Sequence, residues 1–195
     1  MTAAADLRPG LADPVLDGQA VFRTVLKALS FPGRIQPLPV ALTPPPPLNP
    51  AAAAVLLALA DLDAPVWLDP ALDTPAVRAW LRFHAGCPIV EARWQGAFAV
   101  VPADGEMDGF ATGTPEFPET STTVIVQVAA LTEDAGPTLT GPGIADTARV
   151  SAPGLAPEFW PALAANAALF PQGIDVILAA PDRIAALPRT TRITE

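Results

Sequence analysis

The chain has 195 residues, 51% of them hydrophobic and 16% charged, which is ample for a real core and argues against disorder despite 25 prolines. Its formal net charge of −9 opposes phosphate backbones and anionic lipid, so neither nucleic acid nor a membrane surface is an expected partner. A single cysteine, Cys87, excludes an internal disulfide framework and suits a reducing compartment, and the longest apolar run, residues 51–60, is too short for a bilayer span of roughly 20 residues.

No basic stretch precedes an apolar one at the start of the sequence, so the expected location is the cytoplasm. The low charged fraction, set against so much apolar material, implies that another chain covers part of the surface. Residues 1–14, rich in Ala, Asp, Pro and Gly, form a poorly ordered lead-in, and residues 15–195 a single α/β domain. From Asp17, the expected N-cap, the pattern turns helical. Phe22, Val25, Leu26 and Leu29 share one face, Arg23 and Lys27 lie opposite, and Pro32-Gly33 ends the segment. Four prolines at 44–47 make a stiff extended connector. Asn49 caps a second helix running to residue 62, apolar on nearly every side and therefore buried.

"PVWLD" (65–69) reads as a strand, and Thr74-Pro75 opens a third helix that runs to His84 and stops at Gly86. "PIVE" (88–91) and "GAFAVV" (96–101) read as strands joined by a turn, followed by a long Pro/Gly-rich loop over 102–121. "TTVIVQVAAL" (122–131) is a nearly continuous apolar strand, hence central. A short strand at 137–140, a helix at 157–169, a strand at 173–180, a helical turn near 182–187 and an extended "RTTRI" (189–193) follow. Strands alternating with helices predict a sandwich around one buried sheet. The close-set strands near 88–101 and 122–140 predict antiparallel pairs, and so a mixed sheet.

The catalytic inventory is short. His84 is the only imidazole and sits in the last turn of a helix, where the dipole favours a structural role. Cys87 lacks a basic neighbour or helix N-terminus and reads as a small buried hydrophobe. One Cys and one His fall short of a metal set. Asp61, Asp63 and Asp69 read as turn formers. Lys27 is the only lysine, so any Schiff-base chemistry would need it, yet it lies on the polar face of the first helix. Two glycine turns, "TGTPE" (112–116) and "TGPGI" (140–144), could cradle a phosphate, but neither has the Walker or Rossmann spacing. Thr114, Gly141 and Gly143 from these turns, with the cationic pair Arg189 and Arg192, are the candidate phosphate or interface contacts. The alternatives are tight turns needing positive φ, and arginines bound to carboxylates of this chain or a neighbour. No catalytic residue and no cofactor is assigned.

Eight segments in order resemble one family: "FRTVLKALSFPGRI" (22–35), "VLLALADLDAPVWLD" (55–69), "LRFHAGCP" (81–88), "GTPEFPE" (113–119), "TTVIVQV" (122–128), "LTGPGI" (139–144), "FPQGIDVIL" (170–178) and "LPRTTRI" (187–193). Together they resemble the PhnH family, a subunit of the bacterial carbon–phosphorus lyase system for phosphonate use. The resemblance implies a three-layer α/β fold similar to the large domain of pyridoxal-phosphate-dependent transferases, without the cofactor, and pairing as a homodimer. It implies a core assembly with G, I and J subunits, aided by an ATPase-like partner. That assembly joins a phosphonate to the ribose of ATP with release of adenine. It maps no catalytic residue here. The proline-rich 43–50 segment and the Ala/Pro-rich composition depart from the family pattern. The reading is therefore a scaffolding subunit, and the rival is a stand-alone nucleotide- or phosphate-binding enzyme built on the glycine turns and C-terminal arginines.

Overall fold

The computed structural model describes residues 7–194. Among the described residues four α-helices form: α1 (Leu16–Ser30), α2 (Pro50–Leu59), α3 (Pro75–His84) and α4 (Phe159–Ala167). The strands up to residue 140 are β1 (Gln36–Pro37), β2 (Val66–Leu68), β3 (Ile89–Val90), β4 (Phe98–Pro102), β5 (Thr123–Gln127), β6 (Thr132–Glu133) and β7 (Thr138–Thr140). Beyond it come β8 (Val150–Ser151), β9 (Asp175–Ala180), β10 (Arg183–Leu187) and β11 (Arg192–Thr194).

Seven strands make one mixed sheet in the order β1-β10-β9-β5-β4-β2-β3. The run from β9 to β3 is parallel, whereas β10 and β1 are antiparallel additions at one edge. Alternate side chains of the inner strands enter two separate cores. Val66, Leu68, Val100, Ile125, Ile177 and Ile184 meet residues of α1, α2 and α3. Trp67, Val101, Val124, Val126, Val176 and Leu178 meet Phe159 and Leu163 of α4 on the other face. Burial on both faces explains why β5 and β9 lack polar alternation. Two helices begin as their sequences dictate. The Asn49 side chain accepts from Ala52 N at 2.7 Å, the Thr74 hydroxyl accepts from Val77 N at 3.2 Å, and proline follows each cap.

The α/β class and the mixed sheet agree with expectation, but several local readings are corrected. The face of α1 that meets the core is Val21, Val25 and Ala28, leaving Phe22 and Leu26 48% and 52% exposed. Several apolar residues occupy more than half of the helix circumference, so periodicity alone did not select the buried stripe. Asp17 is not the N-cap. The Asp13 carboxylate accepts from Val15 N and Leu16 N, and Asp17 reaches back to Asp13 N. The neighbours near 88–101 are not an antiparallel pair, because β3 and β4 both flank β2 and run parallel to it. Likewise β7 leaves the main sheet to pair with β11. Residues 183–187 form strand β10, not a helical turn. Their Ala-Ala-Leu content favours helix, but the buried slot beside β9 overrides a weak propensity. Helix α2 ends at Leu59, three residues short of the expected end. Of the expected loose lead-in, residues 1–6 lie outside the described residues. Residues 7–12 carry no helix or strand, but the Arg8 carbonyl accepts from Trp80 Nε1 at 2.8 Å.

Candidate functional site

In open α/β sheets the favoured ligand position lies outside the carboxyl ends of the strands, where the strand order reverses. Here the order reverses between β2 and β4. A cleft of about 390 Å³ lies just past β4, lined by Asp104, Glu106, Met107, Asp108, Glu158 and Phe159. Four carboxylates on its rim repel a phosphate or phosphonate. Arg93 is paired with Glu106 and Asp108 of this rim and stacks on Trp67 and Phe110, so it pins the 102–121 loop.

Farther along this end, at β5 and β9, polar groups satisfy each other. The Gln127 side chain accepts from Asn49 N at 2.6 Å and donates to Pro47 O at 3.2 Å. Asn49 Nδ2 donates to Ala179 O at 2.7 Å while its oxygen caps α2. The proline-rich connector therefore sits across these strand ends, held by two amides.

The sequence-derived candidates gather at the opposite, amino end of the parallel strands. Arg189, at the turn after β10, uses every guanidinium N–H. Nε and Nη2 bind the two Asp175 oxygens at 3.2 and 2.5 Å, and Nη2 also binds Ser121 Oγ at 2.6 Å. Nη1 donates to Pro118 O at 2.7 Å and to Pro171 O at 3.5 Å. With its side chain only 14% exposed, Arg189 is a staple joining the 113–121 loop, the 170–173 turn and the start of β9. No donor is left for an outside anion, so of the two sequence readings the carboxylate within this chain holds.

Gly141 and Gly143 are tight-turn positions. Both have positive φ, a Cβ on Gly141 would sit 2.8 Å from the Thr190 carbonyl oxygen, and one on Gly143 would collide with the Ser30 carbonyl. Their close approaches join the end of α1 to the C-terminal strand. Thr114 closes its own turn by accepting from Phe117 N at 3.0 Å, and it does not line the cleft at Pro142, between the two glycines. Arg192 is exposed, has no ion pair among the described residues, and lines a 190 Å³ cleft with Pro142, Ala167, Phe170 and Thr190. Beside it the Thr191 hydroxyl is buried without a partner.

The remaining candidates are structural. His84 Nε2 lies 3.0 Å from the Arg8 carbonyl oxygen beside Trp80. Cys87 is buried, and that burial raises its thiol pKa and leaves it unreactive. Asp61 and Asp69 accept backbone N–H groups two residues ahead, as turn formers do. Lys27 is exposed on α1. Among the described residues no group of three or more His, Cys, Asp or Glu could hold a metal, and no helix is long and apolar enough to cross a membrane. Sequence reasoning missed Asp175, Ser121, Asn49 and Gln127 as hubs. A carboxylate opening an otherwise apolar strand, as in "GIDVILAA", was the available signal for the first.

Five of the eight recognised segments (22–35, 113–119, 139–144, 170–178 and 187–193) thus meet at this amino end. A family model described as "Bacterial phosphonate metabolism protein (PhnH)" matches residues 9–194. The chain belongs to the PhnH family. One PhnH relative, from Rhizobium meliloti (strain 1021), is 40% identical over 99% of this chain and 98% of its own. It is named alpha-D-ribose 1-methylphosphonate 5-triphosphate synthase subunit PhnH. A protein of Stutzerimonas stutzeri, named putative C-P lyase subunit protein HtxG, is 35% identical over 90% of this chain and 85% of its own. The PhnH match spans both cores and both ends of the sheet.

Proposed function

We propose that the chain is a scaffolding subunit of a carbon–phosphorus lyase core complex, supporting formation of alpha-D-ribose 1-methylphosphonate 5-triphosphate from ATP and methylphosphonate. The observation that carries this reading is near full-length similarity, 40% identity over 99% of the chain, to a protein named as a subunit of that synthase. Its partners would be the G, I and J subunits in the cytoplasm, with a homodimer when isolated. Residues 15–195 would act as one folded unit, a cofactor-free counterpart of the large domain of pyridoxal-phosphate-dependent transferases. The surface position of the sole lysine supports the last point. A non-catalytic role is supported by the internal use of polar groups at both sheet ends and by the acidic rim at the favoured ligand position. The rival phosphate-binding enzyme loses its best cation, since Arg189 is saturated.

The test is size-exclusion chromatography of the chain mixed with purified G, I and J subunits at about 1 μM, a concentration that detects affinities near −8 kcal/mol. Co-elution is expected. Separate elution, or turnover of ATP and methylphosphonate by the isolated chain, would overturn the reading.

A further inference from the structure

Helix α1 is apolar on two sides. Val21, Val25 and Ala28 are in the core, yet Phe22, Leu26 and, just past the helix, Phe31 are each at least 40% exposed. Scattered exposed apolar residues are ordinary, but these are grouped. Leu26 and Phe31 line a 360 Å³ groove together with Arg23, Thr24, Lys27 and Ser30, and the Arg34 guanidinium lies 5.4 Å from the centre of the Phe31 ring. Arg23, Lys27 and Arg34 have no ion pair among the described residues, in a chain whose net charge is −9. The face continues past Gly143, packed on the end of α1, to the exposed Phe170 and Arg192.

The rest of this acidic protein repels an acidic partner, so the cationic, aromatic strip is where one can approach. The charges steer a partner whose apolar ridge carries carboxylates, and the aromatic and leucine side chains supply the contact area. A second copy placed on this face by a two-fold axis would set Arg23, Lys27 and Arg34 against themselves, which costs energy. A small anion would find only open, flexible side chains here, without a buried polar group to fix it.

We infer that the outer face of α1, centred on Phe22, Leu26, Phe31, Arg23 and Lys27, is the docking surface for an acidic, apolar ridge of a different subunit of the complex. The inference rests on the subunit reading above, and the same assembly tests both. Binding of the chain to the purified G, I and J subunits is measured by titration at about 50 mM and about 300 mM salt, where screening lengths differ about 2.5-fold. Wild type should bind and should weaken at high salt. R23E/K27E should weaken binding about tenfold or more at low salt, F22S/L26S should weaken it at both salts, and W94S, at an exposed residue in the β3–β4 connection, should bind as wild type. R23Q/K27Q, which adds no new charge, should give an intermediate loss. Wild-type binding with undiminished affinity in the α1 variants, or an equal loss in W94S, would overturn this inference alone. Failure of wild type to bind would overturn the subunit reading and this inference with it.

Discussion

At the amino end of the sheet a guanidinium and a carboxylate, Arg189 and Asp175, hold three loops together, whereas at the carboxyl end two neutral amides, Asn49 and Gln127, hold one connector. Both are shielded hubs that spend their hydrogen bonds on the chain itself, but they fail differently. Removing Arg189 strands a half-shielded carboxylate. Removing an amide strands only uncharged groups, which water can reach more cheaply. The charged hub is therefore the more consequential of the two. It also ties together three of the family segments, 113–119, 170–178 and 187–193.

The largest effect expected is from Arg189→Ala, a loss of about 3 kcal/mol in urea unfolding. Arg189→Lys should recover little of it, because one ammonium cannot reproduce a fork that spans Asp175, Ser121 and two carbonyls. An effect below that of Asn49→Ala would break the comparison. For Asn49→Ala the expected loss is about 2 kcal/mol, combining the helix cap with the bond to Ala179 O.

A smaller effect is expected from a surface pair that closes no loop. Hydrogen bonding to Arg78 holds the Asp73 carboxyl below its usual range. A depressed carboxylate pKa means that the pair's contribution is complete above about pH 4 and is lost as pH falls through the folded value. Asp73→Asn should therefore flatten the acid limb of the stability profile and leave the dependence above pH 6 unchanged, as read from urea midpoints across pH. Smallest of all, Phe22→Ser should leave the unfolding midpoint nearly unchanged, since that ring is 48% exposed and is not one of the buried core residues. A large loss would mean that the outer face of α1 is structural.

Much of the architecture is legible in the sequence because local rules and tertiary packing agree there. Asn49-Pro50 and Thr74-Pro75 open helices, and the apolar run of 123–127 is an inner strand. The failures come where the local signal is degenerate. Residues 184–187 suit either state by composition, and only the slot between β1 and β9 decides them. Phe22 and Leu26 carry the same hydrophobicity as Val21 and Val25, and no single-chain rule says which pair faces inward. At the candidate site, the glycine turns and Arg189 were visible as unusual residues. Their roles as tight turns and as a carboxylate partner stood only as one of two readings, because the partners that decide them, Ser121, Asp175 and Thr190, come from distant segments that only the sheet brings together.

The strand order has a consequence for synthesis. The first strand, β1, pairs with β10, almost 150 residues later in the chain, and the β9–β10 hairpin must enter between β5 and β1 before the sheet is continuous. A ribosome that has made the first two-thirds of this polypeptide holds α1 and α2 with most of their floor missing. Their alanine- and valine-rich inner faces stay wet until residues 175–187 emerge, which makes those faces the natural point for chaperone engagement in that interval.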